Sequence, residues 1–278
     1  MTEASRLGCG GIIVRLQEVG DNVRSLVVEG QRSGLHLVLD IEVSEEYNSS
    51  QVQTMKEALH SWIQDGVSGF SLSGGQRSSL RMVSQFLQED MDIVAREDRF
   101  ILLPDWLCEE TASNKSVLLC TCSLPRWDSA KVTECSQVQN TAWQVSSGSS
   151  LELRQFMAAT LPGTAILPLS QTQPPPSWLE LLLFRRHQHP ALYAGWLQPM
   201  ADNSTYGIVH RWGCSTLLVA INPTNQPRNL SVRLTGYKAT AQLLLSTTWR
   251  RSRDLNVQEG LLLAPGEAQL LRLTLEEL

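Results

Sequence analysis

Between Gly11 and Leu167, seven short apolar runs alternate with segments of helical periodicity or polar connectors. The runs are Gly11-Ile12-Ile13-Val14, Leu35 to Ile41, Gly66 to Leu72, Arg99 to Leu103, Val117 to Cys122, Thr141 to Val145 and Thr164 to Leu167. Leu35-His36-Leu37-Val38-Leu39-Asp40-Ile41 is nearly continuous in apolar character, the pattern of a strand buried on both faces. His36 within it reads as a packed core histidine. Helical patterns fall over Asp21 to Glu29, from about Gln51, over Ser79 to Val94, over Ser150 to Leu161, and from Trp178 to about His187. In the second, Val52, Met55, Leu59, Trp62 and Ile63 mark one face, and Ser49 or Ser50 supplies a cap. Repeated strand–helix–strand units call for a parallel sheet with right-handed crossovers.

The texture changes near residue 195. Tyr206 to Trp212, Ser215 to Ile221, Leu230 to Leu234, Ala241 to Leu245, Gly260 to Leu263 and Ala268 to Leu273 are short strands at roughly ten-residue spacing, an antiparallel all-β signature. The sequence therefore predicts an α/β region over 1–195 and a small antiparallel β domain over 196–278.

Composition narrows the function classes. Hydrophobic residues make up 42% of the 278, which is enough for a real core. The net charge of -5, with only four lysines (Lys56, Lys115, Lys131, Lys238), argues against a nucleic-acid partner. The arginine clusters Arg185-Arg186 and Arg250-Arg251-Ser252-Arg253 read as solvated faces. Eight tryptophans suggest either much buried surface or stacking on carbohydrate.

No stretch of the sequence reaches the roughly 18 apolar residues of a membrane span, and the N-terminus lacks a signal-peptide pattern. Four Asn-x-Ser/Thr sequons, at Asn48, Asn114, Asn203 and Asn229, point instead to an extracellular glycoprotein. An upstream membrane anchor would reconcile the two. The six cysteines (Cys9, Cys108, Cys120, Cys122, Cys135, Cys214) show no metal-ligand spacing. Buried free thiols are the simpler reading, with disulfides left open. Neither a metal nor a cofactor is called for.

Several segments carry a family likeness. Leu181 to Gly195, with its Arg185-Arg186 and Pro190-Ala191-Leu192, resembles the last barrel helix of α-amylase-type glycoside hydrolases. Gly66-Val67-Ser68-Gly69-Phe70 resembles their fourth strand, and Leu161-Pro162-Gly163-Thr164 the turn before their eighth. Within that family the likeness is to the heavy chains of heteromeric amino-acid transporters, through Leu37-Val38-Leu39-Asp40, Trp62 to Val67, Asn114-Lys115, Leu243 to Thr247 and Glu259 to Leu263. The resemblance implies an incomplete (β/α)8 TIM-type barrel, lacking its first strand and helix, followed by an antiparallel β domain. Such a barrel usually takes about 250 residues.

The resemblance also says where chemistry belongs. The family nucleophile position is Ser73, and the neighbouring arginine position is Ser71. The acid/base position falls near Asp105, and nothing around Trp143 supplies the family's His-Asp pair. Asp40 matches a family aspartate, whereas Ser44 and Glu45 replace the Asn and His beyond it. Retaining glycosidases need two carboxylates. The expectation is thus a chain that is not an enzyme: a non-catalytic ectodomain at the outer face of the plasma membrane. It would bind a multi-pass amino-acid transporter light chain as a heterodimer and support its stability and trafficking. Cys9 is not assigned the family's stalk-cysteine role. The alternatives are a glycoside hydrolase-like or carbohydrate-binding protein acting on α-glucans, with Asp105 and Asp40 as a relocated pair, and a shortened chain that does not fold alone.

Overall fold

The computed structural model describes residues 1–15, 23–43, 49–93, 99–104, 107, 118–123, 135, 141–145, 150–168, 175–202, 205–232, 234, 236–248, 254–257 and 260–277. Two compact units divide the chain, Met1–Thr121 and Cys122–Leu278.

The first unit opens with a short helix, α1 (Thr2–Arg6), that the sequence pattern does not announce. It continues through β1 (Gly11–Arg15), α2 (Val23–Arg32), β2 (His36–Val43), α3 (Ser49–Asp65), β3 (Gly69–Gly74), α4 (Arg77–Ile93), β4 (Phe100–Pro104) and the start of β5 (Leu118–Ser123). Each strand pairs in parallel with the next. Val14 lies opposite Leu39, Leu39 opposite Phe70, Phe70 opposite Ile101, and Ile101 opposite Leu118. Because side chains alternate across a strand, this register sorts them into two faces.

One face carries Leu37, Leu39, Ile41, Val43, Phe70, Leu72, Ile101 and Leu103, all buried against α2, α3 and α4 through Val27, Leu59, Ile63, Leu80, Val83 and Leu87. The helical periodicity was legible because these helices bury one stripe each. Gly69 has to be a glycine. A Cβ there would stand 2.6 Å from the Phe100 carbonyl oxygen. His36 is not a core residue. It is exposed, and its Nδ1 lies 3.1 Å from Ser68 Oγ. It sits at the first position of β2, before the strand becomes enclosed.

In the second unit, β6 (Thr141–Gln144) and β7 (Thr164–Ile166) are a parallel pair, with α5 (Leu151–Thr160) between them in sequence. Then come α6 (Ser177–Gln188) and the short α7 (Ala191–Ala194). The chain thus holds seven strands of a (β/α)8 TIM-type barrel, an incomplete set. An antiparallel all-β region follows. Its six-stranded sheet has the order β13-β12-β15-β10-β9-β8, with β8 Trp196–Asp202, β9 Thr205–Trp212, β10 Ser215–Ile221, β12 Tyr237–Ser246, β13 Asp254–Asn256 and β15 Ala268–Glu277. A two-stranded sheet pairs β11 (Arg228–Leu230) with β14 (Leu261–Leu263). Val209, Leu218, Ala220, Leu243, Leu271 and Leu273 pack with Leu230, Leu261 and Leu263 in the core of this region. β8 and β13 were not expected from the sequence, since Pro199 interrupts the one and the other is only three residues long.

Two other expectations are corrected here. Cys122 and Cys135 form a disulfide, and Cys120 is disulfide-bonded as well, so these are neither free thiols nor zinc ligands. Cys9 and Cys214 are free. Arg186 is not a solvated charge. It is buried, and its guanidinium donates to the carbonyls of Ala159 (2.7 Å), Leu161 (2.7 Å), Leu192 (3.2 Å) and Gly163. Ala159 and Leu161 stand at the C-terminus of α5, where helix carbonyls lack partners and the helix dipole favours a cation. Burial lowers the Arg186 pKa to about 10, still protonated at neutral pH. Arg250, Arg251 and Arg253 lie outside the described residues.

Candidate functional site at the ends of three parallel strands

Ligands of open α/β sheets and barrels gather at the C-terminal ends of the strands. In the first unit, those ends carry charge on the face opposite the helices. β1 ends in Arg15, β2 contributes Asp40 and Glu42, and β3 contributes Ser71 and Ser73. The register sets Arg15 opposite Asp40, Asp40 opposite Ser71, and Glu42 opposite Ser73. Asp40 and Glu42 are two residues apart, so both project from the same face of β2.

Arg15 ties the two carboxylates together. Its Nε donates to Asp40 Oδ2 at 2.8 Å and its Nη2 lies 2.7 Å from the same oxygen. Its Nη1 reaches Glu42 Oε2 at 3.5 Å. The hydrogen bond to Asp40, its charge, and more weakly that of Glu42 push the Arg15 pKa up. Ser73 Oγ donates to Asp40 Oδ1 at 3.3 Å. Asp40 is therefore gripped on both oxygens, and its side chain is 14% exposed. Among the described residues Glu42 has the long contact to Arg15, and its side chain is 68% exposed. The arrangement offers one anchored carboxylate, one loose carboxylate, a cation and a hydroxyl on a single surface.

The structure places the sequence-derived site residues unevenly. Ser73 lies near the end of β3 and its hydroxyl meets Asp40. Asp105 lies outside the described residues, as do Asn48, Asn114 and Asn203. Asn229 is exposed on β11, and its amide lies over Gly260, where an added Cβ would meet it at 2.3 Å. Arg15 and Glu42 were missed. Glu42 lies one residue past the predicted strand end at Ile41, so its spacing from Asp40 became informative only with the strand running to Val43; Arg15 needed the register. Among the tryptophans, Trp62, Trp143 and Trp178 are core, with Trp143 Nε1 donating to the Pro162 carbonyl. Trp196 and Trp212 are exposed. A groove of about 370 Å³ between α3 and α4, lined by Lys56, Glu57, His60 and Phe86 among others, is on the helix side and not at the strand ends. Among the described residues no cluster of His, Cys, Asp and Glu could hold a metal ion, and no helix is long and apolar enough to cross a membrane.

No protein-family model matches the chain, and no curated protein does. Solved structures do. Isomaltulose synthase from Erwinia rhapontici NX5 superposes with a TM-score of 0.69 at 10% identity, covering 97% of this chain and 92% of that one. Trehalose-6-phosphate hydrolase from Bacillus licheniformis gives 0.67 at 11% identity, covering 98% and 93%. The fold is that of the α-amylase-type glycoside hydrolases. An Anoxybacillus α-amylase, at 0.63 and 11% identity over 98% and 88%, agrees with both.

These comparisons overturn the expectation that the chain is not an enzyme. The amylase-like proteins that share its fold are enzymes. The expectation weighed Ser73, Ser71, Asp105, Asp40 and the absent His-Asp pair, but not Glu42. β2 brings Glu42 to the same strand end and face as Asp40.

Proposed function

We propose that this protein acts on α-linked glucose oligosaccharides as a glycoside hydrolase-type protein, using the strip Arg15–Asp40–Glu42–Ser73. The observation that carries this reading is the carboxylate pair bridged by Arg15 at the strand ends of an amylase-type fold. Glycosidic cleavage needs two carboxyl groups flanking the bond, one to protonate the leaving oxygen and one to act from the other side. Asp40, fixed by Arg15 and Ser73, suits stationary stabilisation of the oxocarbenium-like transition state or activation of water. Glu42, loosely held and open to solvent, suits proton delivery to the leaving oxygen. The hydroxyl and guanidinium supply further sugar-hydroxyl contacts. Release of nitrophenol from 4-nitrophenyl α-glucoside, together with calorimetric binding of maltotriose, tests the reading. Turnover or binding that is lost in Asp40→Asn and Glu42→Gln supports it. Neither turnover nor binding by the folded protein overturns it.

A second reading rests on a different observation, the ordered segments such as Leu37–Asp40 and Trp62–Val67 that resemble transporter heavy chains. Under it, the chain stands at the outer face of the plasma membrane and docks on a multi-pass amino-acid transporter light chain. Its disulfides fit an oxidising compartment. Surface biotinylation of tagged light chains co-expressed with this protein is the test. Increased surface delivery supports the reading, and unchanged delivery across the light-chain panel rejects it.

A further inference from the structure

The second unit contains a buried base that the proposed site does not use. His210 lies in the middle of β9, wholly buried, with Leu197 of β8 and Leu217 of β10 as its register partners. Neither ring nitrogen makes a hydrogen bond of ordinary geometry among the described residues. The polar groups beside the ring are the Ala191 carbonyl of α7 and the Arg186 guanidinium of α6. α7 packs directly on β9 and β10. Farther along the same row, Arg272 of β15 lies opposite Leu217. His189, between α6 and α7, has its own pKa lowered by burial, Arg272 and Arg185. Arg186 and Arg272 are both cations.

We propose that His210 is an acid trigger: protonating its ring releases α7, Ala191–Ala194, from the β9–β10 face. A neutral imidazole held by no hydrogen bond of ordinary geometry among the described residues is already a costly choice for a core position that a leucine would fill. A charged one, wholly buried beside the Arg186 guanidinium, is not compatible with the packed interface. Arg186 holds the α5 terminus, the turn at Gly163 and Leu192 together, so charge repulsion at His210 acts on the bond network that docks this segment.

The sign follows from linkage. Burial pushes the His210 pKa down to about 3, with the Ala191 carbonyl opposing and Arg186 adding to the shift. A released imidazole titrates near 6.5. Above that pH neither state takes the proton. As pH falls below about 6.5, only the released state binds it, and the docked state loses roughly tenfold in population ratio per pH unit until about pH 3. Between pH 7.5 and 5.0 the expected loss is about 30-fold, before most carboxylates titrate.

Amide hydrogen exchange of the whole chain at pH 7.5 and pH 5.0, corrected for intrinsic rates, reads this directly. Residues 191–194 in the wild type should lose about 30-fold in protection at pH 5.0, and His210→Leu should abolish that loss. A folded His210→Leu chain that keeps the full pH dependence overturns the proposal. Should His210→Leu not fold, the ring signals of wild-type His210 decide. A ring still neutral in the docked state at pH 5.0 supports the trigger, and titration near pH 6.5 without loss of docking overturns it.

Discussion

The Arg15 guanidinium holds one oxygen of Asp40 with two of its nitrogens, at 2.8 and 2.7 Å, while its third nitrogen reaches toward Glu42. The pair joins the ends of adjacent strands at a solvent-open surface, where an ion pair adds little to folding. Its effect falls on carboxylate geometry. Arg15→Gln should leave the thermal midpoint within error of wild type and weaken maltotriose binding. Parallel melts and calorimetry separate the two effects. An unchanged affinity would remove Arg15 from the site.

Arg186 has the opposite character. Its guanidinium satisfies four carbonyls inside the second unit, and removing it leaves those acceptors unpaired. Arg186→Met should therefore cost about 3 kcal/mol or more of stability, since each buried unsatisfied group costs roughly 1–3 kcal/mol. Urea denaturation provides the number. Arg186→Lys should recover only part, because an ammonium lacks the planar fork.

Glu267 gives a second pH dependence. Burial pushes its pKa up, but the Ala264 N–H and the side chains of Gln269, Thr248 and Ser246 outweigh it and hold the carboxyl below its usual range. The Ala264 N–H donates to Oε2 at 2.7 Å, and Ser246 and Thr248 donate to Oε1 at 2.9 and 2.7 Å. The folded state thus binds this proton less readily than the unfolded state. Its stabilisation is complete above the unfolded carboxyl pKa and is lost as pH falls through the folded one. Glu267→Gln should lower stability at pH 7 and flatten the acid limb of a stability-against-pH curve. An unchanged acid limb would mean that other carboxylates dominate it.

The Cys122–Cys135 disulfide closes a loop with a sequence separation of 13. Cross-links of that length contribute about 3 kcal/mol in the chain-entropy account. The double variant Cys122→Ser/Cys135→Ser should unfold at correspondingly lower urea. A shift below about 1 kcal/mol would show that the unfolded chain is already compact there.

Much of the fold was legible because its elements obey local rules. The apolar runs at Leu37–Ile41 and Ile101–Leu103 and the stripe Leu80, Val83, Leu87 need no tertiary information. β8 and β13 were not legible, since Pro199 and a three-residue length erase the pattern. The buried role of Arg186 was hidden by its neighbour. Arg185-Arg186 reads as charge on a surface, yet one of the two lies on the face that meets the α5 terminus. His36 misled for the converse reason, being the first residue of its strand. The site was half legible. Asp40 and Ser73 followed from the family likeness, whereas Arg15 joins them only through the β1–β2 register, and Glu42 shares the Asp40 face only because the strand continues to Val43. Cysteine pairing depends on distances that sequence does not contain.

The proposed carboxylate pair at the ends of β1–β3 has to engage an α-glucan. Titration of maltotriose into wild-type protein, Asp40→Asn and Glu42→Gln, with 4-nitrophenyl α-glucoside turnover followed on the same samples, tests it most directly. The expected result is binding by the wild type, loss of binding in Asp40→Asn, and turnover lowered about 10²-fold or more in Glu42→Gln, as for removal of a general acid. A folded wild type with neither binding nor turnover, or an Asp40→Asn variant indistinguishable from it, would contradict the account.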